Sequence, residues 1–188
     1  MRLDNTYSIA NCYSFTGSGT CYIRNSLGYG FGTNFGRVGI LSDNGTVYAH
    51  NCTMCDLSNF GYDISADGTL NVKNCVAFNV GTPYDVSSAD YCAYDSGADP
   101  GTNGVDISGD AGTDLFADYN NDDFHVKGTG SSLYDAGTDL SADGNLAVTE
   151  DIDQEARTQW DIGCDEYIAA GGGLSIPIAM HHYGQMRH

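Results

Sequence analysis

The stretch Gly45-Thr46-Val47-Tyr48-Ala49-His50-Asn51-Cys52 decides how this chain is read. It has a copy upstream, Gly19-Thr20-Cys21-Tyr22-Ile23-Arg24-Asn25-Ser26. A third copy lies downstream, Gly68-Thr69-Leu70-Asn71-Val72-Lys73-Asn74-Cys75, and the offsets are 26 and 23 residues. Each copy reads Gly-Thr, then alternates inward and outward side chains, then closes on Asn and a small residue. Period-two alternation is the mark of a half-buried strand. Tyr7-Ser8-Ile9-Ala10-Asn11-Cys12 is an earlier partial copy, and Ser141 to Val148 loosely echoes Ser65 to Val72. Strand-sized units at this period predict a solenoid whose rungs stack in parallel.

Leucine-rich and tetratricopeptide arrays share such periods or sizes, but they need repeated Leu or strong helix formers, which are scarce here. A parallel β-helix remains, its rungs about 4.8 Å apart. The recurrent Asn predicts a ladder of stacked amides that bond one another and satisfy a buried turn. Cys12, Cys52 and Cys75 share one repeat position, with Ser26 in the fourth copy. Stacked residues sit about 4.8 Å apart, whereas a disulfide needs Cβ atoms about 3.8 Å apart, so free buried thiols are expected rather than bridges. Cys52-Thr53-Met54-Cys55 is a lone CxxC with no second pair to complete a zinc site.

Composition narrows function. The chain has 188 residues, with 25 Asp and Glu against 7 Lys and Arg, for a net charge of −18. Nucleic-acid binding and docking on anionic lipid both need clustered cations, so both are disfavoured. No apolar run approaches the length of a membrane span. The first residues, Met1-Arg2-Leu3-Asp4-Asn5-Thr6, have no apolar stretch behind their Arg and do not read as a secretory signal. Gly is 25 of 188 and Pro only 3, which suits an all-β chain with many tight turns.

From about residue 96 the texture changes to Gly, Asp, Asn and Ala. Four blocks follow: Asp122-Asp123-Phe124-His125-Val126; Leu133-Tyr134-Asp135-Ala136-Gly137-Thr138-Asp139-Leu140; Thr149-Glu150-Asp151-Ile152-Asp153-Gln154-Glu155-Ala156-Arg157; and Trp160-Asp161-Ile162-Gly163-Cys164-Asp165-Glu166-Tyr167. In order and spacing they resemble the C-terminal cap of right-handed parallel β-helix proteins. These are the pectate-lyase-like solenoids of bacterial surface, environmental and phage proteins. The resemblance covers about residues 116 to 168. It departs at Ser131-Ser132, where Ser-Pro is usual, at Gln154-Glu155-Ala156-Arg157, which lacks the usual Gly and Pro, and at Cys164, where Ala is common. It implies an all-β, single-stranded right-handed parallel β-helix, with rungs over 1–95 and loop-rich last rungs and a cap over 96–168. A Gly hinge and extended tail follow over 169–188. Trp160, Tyr167 and Phe124 are expected to plug the open last rung, and 161–167 to form the last strand. Arg157 is expected to pair within Glu150, Asp151, Asp153 and Glu155. Strand-like residues begin by Tyr7, so the first rung is expected either to be closed by a partner chain or to continue a longer protein.

The fold hosts polysaccharide lyases, esterases and hydrolases, but it implies no activity by itself. Hydrolases need paired carboxylic acids on strands facing a groove, and the Asp residues here sit mainly in Gly-rich loops. The Gly-His-Gly and Arg-Ile-Lys elements of polygalacturonases are absent. The repeat aligns Arg24, His50 and Lys73 in one outward column, and Tyr22, Tyr48 and Asn71 beside it. A cationic column next to Tyr faces is a candidate site for an acidic sugar, set against a plain solvated strand face. Asp118, Asn120, Asp122 and Asp123 alternate oxygen ligands, so Ca²⁺ is possible there. The segment lacks the Gly and the final Glu of an EF-hand loop. No other cofactor is expected.

After Gly171-Gly172-Gly173, the residues Leu174, Ile176, Ile178 and Met180 alternate along an extended strand, with Pro177 restricting it to edge pairing and Tyr183 beyond. This tail carries no acidic residue. It reads as an arm that docks on a sister subunit or another partner, the other course being to fold back on its own rungs. The expectation is a non-enzymatic structural protein of a virion or extracellular surface, such as a phage decoration or fibre-type component. The rival is a carbohydrate-binding or lyase-like β-helix of a bacterial surface.

Overall fold

The computed structural model describes residues 1–4, 7–9, 13–30 and 38–169. The strands are β1 (Arg2–Asp4), β2 (Tyr7–Ile9), β3 (Tyr13–Phe15), β4 (Thr20–Tyr29), β5 (Val38–Cys55), β6 (Phe60–Lys73), β7 (Val76–Phe78), β8 (Thr82–Tyr84), β9 (Ser88–Asp90), β10 (Ala93–Tyr94) and β11 (Val105–Asp106). All of these pair in parallel within one sheet that curls into a half-barrel. A one-turn helix α1 (Gly112–Leu115) leads into the antiparallel hairpin of β12 (Phe116–Asp118) and β13 (Asp123–Val126). The protein is therefore all-β with almost no helix, and no helix among the described residues is long and apolar enough to cross a membrane.

The long strands bend, so each contributes to more than one ladder. The first ladder runs Arg2↔Tyr22↔Tyr48↔Asn71↔Ser88. The second runs Tyr7↔Leu27↔Thr53↔Val76↔Ala93↔Val105. The third runs Tyr13↔Ile40↔Tyr62, with Tyr62 paired to Tyr84. From Leu27 onward the steps of the second ladder are 26, 23, 17 and 12 residues (27 to 53, 53 to 76, 76 to 93, 93 to 105). The circuits shorten as the third ladder ends at β8, which is why the repeat fades after residue 96.

The repeat residues have definite jobs. Asn25, Asn51 and Asn74 sit at φ 47°, 51° and 50°, and Tyr91 and Asn103 occupy the equivalent corner at 51° and 53°. This left-handed corner turns the chain from the first ladder to the second, and Asn tolerates it better than most side chains. In the second and third copies the opening Gly is required by close stacking: a Cβ on Gly45 would lie 2.3 Å from the Gly17 carbonyl oxygen, and one on Gly68 2.0 Å from that of Ser42.

Two cores result. The interior holds Cys21, Ile23, Ile40, Val47, Ala49, Met54, Tyr62, Leu70, Val72 and Ala77, together with Cys52, Cys75 and Cys92, which follow one another down one column. Tyr62 and Tyr84 stack at 4.9 Å across this interior. Their hydroxyls donate to the Cys52 and Cys75 carbonyls at 2.9 and 2.7 Å, so neither buried phenol is left unpaired. The six described cysteines are all buried and free; Cys12 lies outside the described residues.

The second core was not expected. It lies on the outer side of the second ladder, where Leu27, Tyr29, Cys55, Val76, Phe78 and Ala93 meet Ile107, Leu115, Phe116, Phe124, Val126, Leu133, Ile152, Ile162 and Cys164. Strands of the second ladder are thus buried on both faces, as in parallel sheets covered on each side. The residues from 107 to 164 lie along the flank of the ladder rather than only across its end. Phe124, expected across the last rung, instead packs on Tyr29 of β4 at 5.0 Å, on the flank beside the early strands. Trp160 is only half-buried, Tyr167 packs on Tyr134, and 161–167 is not a strand.

Candidate functional site

The outer face of the first ladder carries the sequence-predicted columns in the expected register. Tyr22, Tyr48 and Asn71 are successive partners, as are Arg24, His50 and Lys73. Tyr22 and Tyr48 stack at 5.8 Å, and Ser88 extends their column by donating to Asn71 at 2.6 Å. The cationic column, however, is covered by the chain's own residues 143–150. Lys73 pairs with Asp143 at 2.7 Å. Arg24 donates to the Ala147 carbonyl at 3.2 Å and faces Glu150 at 3.7 Å. His50, expected to face outward, is 1% exposed, and its Nδ1 donates to the Leu146 carbonyl at 2.8 Å. A carbonyl only accepts, so that bond places the ring proton on Nδ1, and burial lowers the His50 pKa and holds the ring neutral.

Asp143 makes this cover possible. It accepts the Asn145 and Leu146 amides as well as the Lys73 ammonium, which together outweigh its burial and bring its pKa down to about 2. What remains open on this face is a groove of about 390 Å³ lined by Tyr22, Arg24, Asn145, Leu146, Ala147 and Thr149. Of the six residues proposed from sequence for a sugar site, Tyr22 and Arg24 border that groove.

The corner asparagines also serve this segment. Asn25 donates to the Glu150 carbonyl at 2.7 Å, and Asn51 to that of Gly163 at 3.4 Å. Asn74 grips Thr138 at both ends, donating to its carbonyl at 2.8 Å and accepting its amide at 3.0 Å. The Asn column is therefore a row of anchors for residues 138–163.

That segment has little strand, and carboxylates take the place of ladder partners. Asp151 accepts the amides of Asp153, Glu155 and Glu166. Asp161 accepts those of Asp135 and Tyr167, and Asp165 that of Val126. Glu166 accepts the amides of Thr158 and Gln159. Burial raises Asp151 to about 6 and Asp165 to about 7, although these bonds work against it. Arg157 pairs with buried Glu166 at 3.8 Å and donates to the Asp161 and Gly163 carbonyls. Its expected neighbours were Glu150, Asp151, Asp153 and Glu155. Of these, Asp151 does act on the guanidinium through its charge; Glu166 joins it because the chain reverses after 157 and brings 161–166 back alongside.

The second cluster of chemistry-bearing groups is centred on His125 of β13. Its Nδ1 meets Asp123, and its Nε2 lies 2.7 Å from Asp153 Oδ2. Ligand atoms of His125, Asp153 and Asp165 all lie within 4.8 Å of one another. Burial disfavours the imidazolium, but the hydrogen bonds to Asp123 and Asp153 prevail and bring His125 up to about 11. As an imidazolium, His125 is the counter-ion of this cluster; without that proton it is a nitrogen ligand flanked by oxygen ligands. Asp123 was read from sequence with Asp118, Asn120 and Asp122 as a Ca²⁺ loop. The structure turns Asp123 toward His125, has Asp118 accept from Asn121 at 2.7 Å, and puts Asp122 at φ 65° to end a short 3-10 turn. Sequence missed His125, Asp153 and Asp165 because they come from three separate blocks that only the reversal near 157 brings together.

The tail residues Leu174, Ile176, Pro177, Ile178, Met180 and Tyr183 lie outside the described residues. No family model matches the chain, and no curated protein and no solved structure matches it.

Proposed function

We propose that this chain is a right-handed parallel β-helix that acts as a non-enzymatic structural or surface protein. The reading extends to a phage virion component of decoration or fibre type, docked on a sister subunit or surface partner by residues 174–188. The observation that carries it is how the polar side chains are used. Lys73, His50, Arg24 and the corner asparagines are engaged in fastening the chain's own C-terminal segment. Three ladders that advance by one circuit each, around a closely stacked interior, support the β-helix. The net charge of −18 suits a soluble surface on which an apolar tail is the adhesive element.

Deleting residues 171–188 tests the docking role. The expected result is a folded chain that no longer oligomerises or enters particles. Unfolding of the truncated chain would make the tail part of the fold and overturn the reading. A second reading, carbohydrate binding on a bacterial surface, is favoured by the groove at Tyr22 and Arg24 beside the Tyr22–Tyr48 stack. A glycan array with an absorbance assay for unsaturated uronates separates the two: binding abolished by Tyr22→Ala would support a sugar site, and product formation would support a lyase.

A further inference from the structure

We propose that His125, Asp153 and Asp165 bind one divalent cation of the zinc or manganese type, fastening β13 to the C-terminal segment. The donor set is one imidazole nitrogen and two carboxylates, a mixture that suits borderline cations rather than Ca²⁺. Their ligand atoms already lie within 4.8 Å of one another, so a cation at about 2.0–2.2 Å from each needs only side-chain adjustment.

Two further observations point to a cation. Asp153 is nine-tenths buried, yet its Oδ1 has no hydrogen-bond donor among the described residues. A buried carboxylate oxygen in that condition is costly unless something positive meets it. The outer arrangement is also that of a metal-binding histidine: Nδ1 faces Asp123, which would fix the tautomer and aim Nε2 at the cation. Asp165 is held in place by accepting the Val126 amide at 2.8 Å, which leaves its second oxygen for the cation. The His125 side chain is 25% exposed, enough for entry from solvent and for water to complete the coordination.

Binding replaces the Nε2 proton by the metal, so uptake releases a proton to the buffer. The test is calorimetric titration of chelator-treated full-length chain with ZnCl₂, with His125→Gln, Asp153→Asn and Asp123→Ala in parallel and circular dichroism confirming their folds. The wild type should take up one Zn²⁺ with proton release. The two ligand variants should each lose at least about tenfold in affinity, and D123A, which touches no metal, should lose about 10–100-fold. Because the tail carries His181, His182 and His188, a second measurement locates the site: Mn²⁺ added to wild type should broaden the His125 ring resonances first. Absence of saturable uptake, uptake unchanged in H125Q and D153N, or broadening confined to the tail histidines overturns the proposal. In that event the cluster is an imidazolium held by carboxylates.

Discussion

Replacing Asn74 separates the two duties of the corner asparagines. Asn74 is fully buried at φ 50°, and it both accepts the Thr138 amide and donates to the Thr138 carbonyl. Asn74→Ala keeps the left-handed backbone but loses both bonds. A left-handed non-Gly residue costs about 1–2 kcal/mol, part of which Asn74 already bears, so Ala adds about 1 kcal/mol. Each orphaned, partly buried backbone group costs about 1–3 kcal/mol, and the low end applies here because water can reach Thr138. The sum is about 3 kcal/mol, a large share of the roughly 5–15 kcal/mol that stabilises a domain. Asn74→Gly removes the backbone strain and keeps the orphans, so it should cost about 1 kcal/mol less than the Ala variant. Urea unfolding followed by far-ultraviolet circular dichroism and by fluorescence of Trp160 measures both. Dichroism reports the ladders, and Trp160, whose carbonyl accepts the Gly137 amide next to Thr138, reports the covering segment. A loss below about 1 kcal/mol in Asn74→Ala, or a Gly variant as damaged as the Ala variant, would refute the anchoring role.

Further outcomes follow from the same contacts. Phe78→Ala should cost about 3–5 kcal/mol by chemical denaturation, since Phe78 packs on Phe116 and Tyr119 in the second core; a loss under 1 kcal/mol would mean that core is not formed. Stability should be greatest near pH 4 and fall as pH rises from there toward 8. Asp151 and Asp165 are raised in the fold to about 6 and 7, so the folded state holds more protons than the unfolded one over that range. The bonus from His125, raised to about 11, is complete below its unfolded pKa near 6.5 and is lost as pH climbs above it. Below pH 4 the Lys73–Asp143 contribution is lost as pH falls toward 2, giving the acid limb; a melting temperature that rises from pH 5 to 7.5 would contradict this assignment. Thiol titration should find few reactive groups in the native chain and most of the seven after denaturation without reductant; none or one after denaturation would mean disulfides.

The register of the first ladder was legible because the Gly-Thr repeat fixes both spacing and phase: Tyr22, Tyr48 and Asn71 align as the offsets require. The thiol column was legible for the same reason. The fate of His50 was not. Alternation tells which side of a strand a residue takes, but not what lies over that side. Residues 131–168 carry no period, because Asp151, Asp161, Asp165 and Glu166 bond the backbone that a ladder would otherwise satisfy. Acidic loops of that composition read as hydrated surface until the chain reversal near 157 is known. Val76, Phe78 and Leu27 alternated with inward residues and gave no separate sign that their own side would be covered.

Native-state amide hydrogen exchange tests most directly whether the C-terminal segment is an integral cover of the ladders. The amides of Thr138, Gly163 and Cys164 bond Asn74 and Thr53, while those of Ala93 and Val105 bond within the second ladder. If cover and ladders form one cooperative unit, both sets should exchange through the same opening with the same free energy and the same denaturant dependence. Fast, denaturant-insensitive exchange of Thr138, Gly163 and Cys164 beside a fully protected Ala93 and Val105 would contradict it. The segment would then be a loose appendage, and the column of Arg24, His50 and Lys73 would be open to an external ligand.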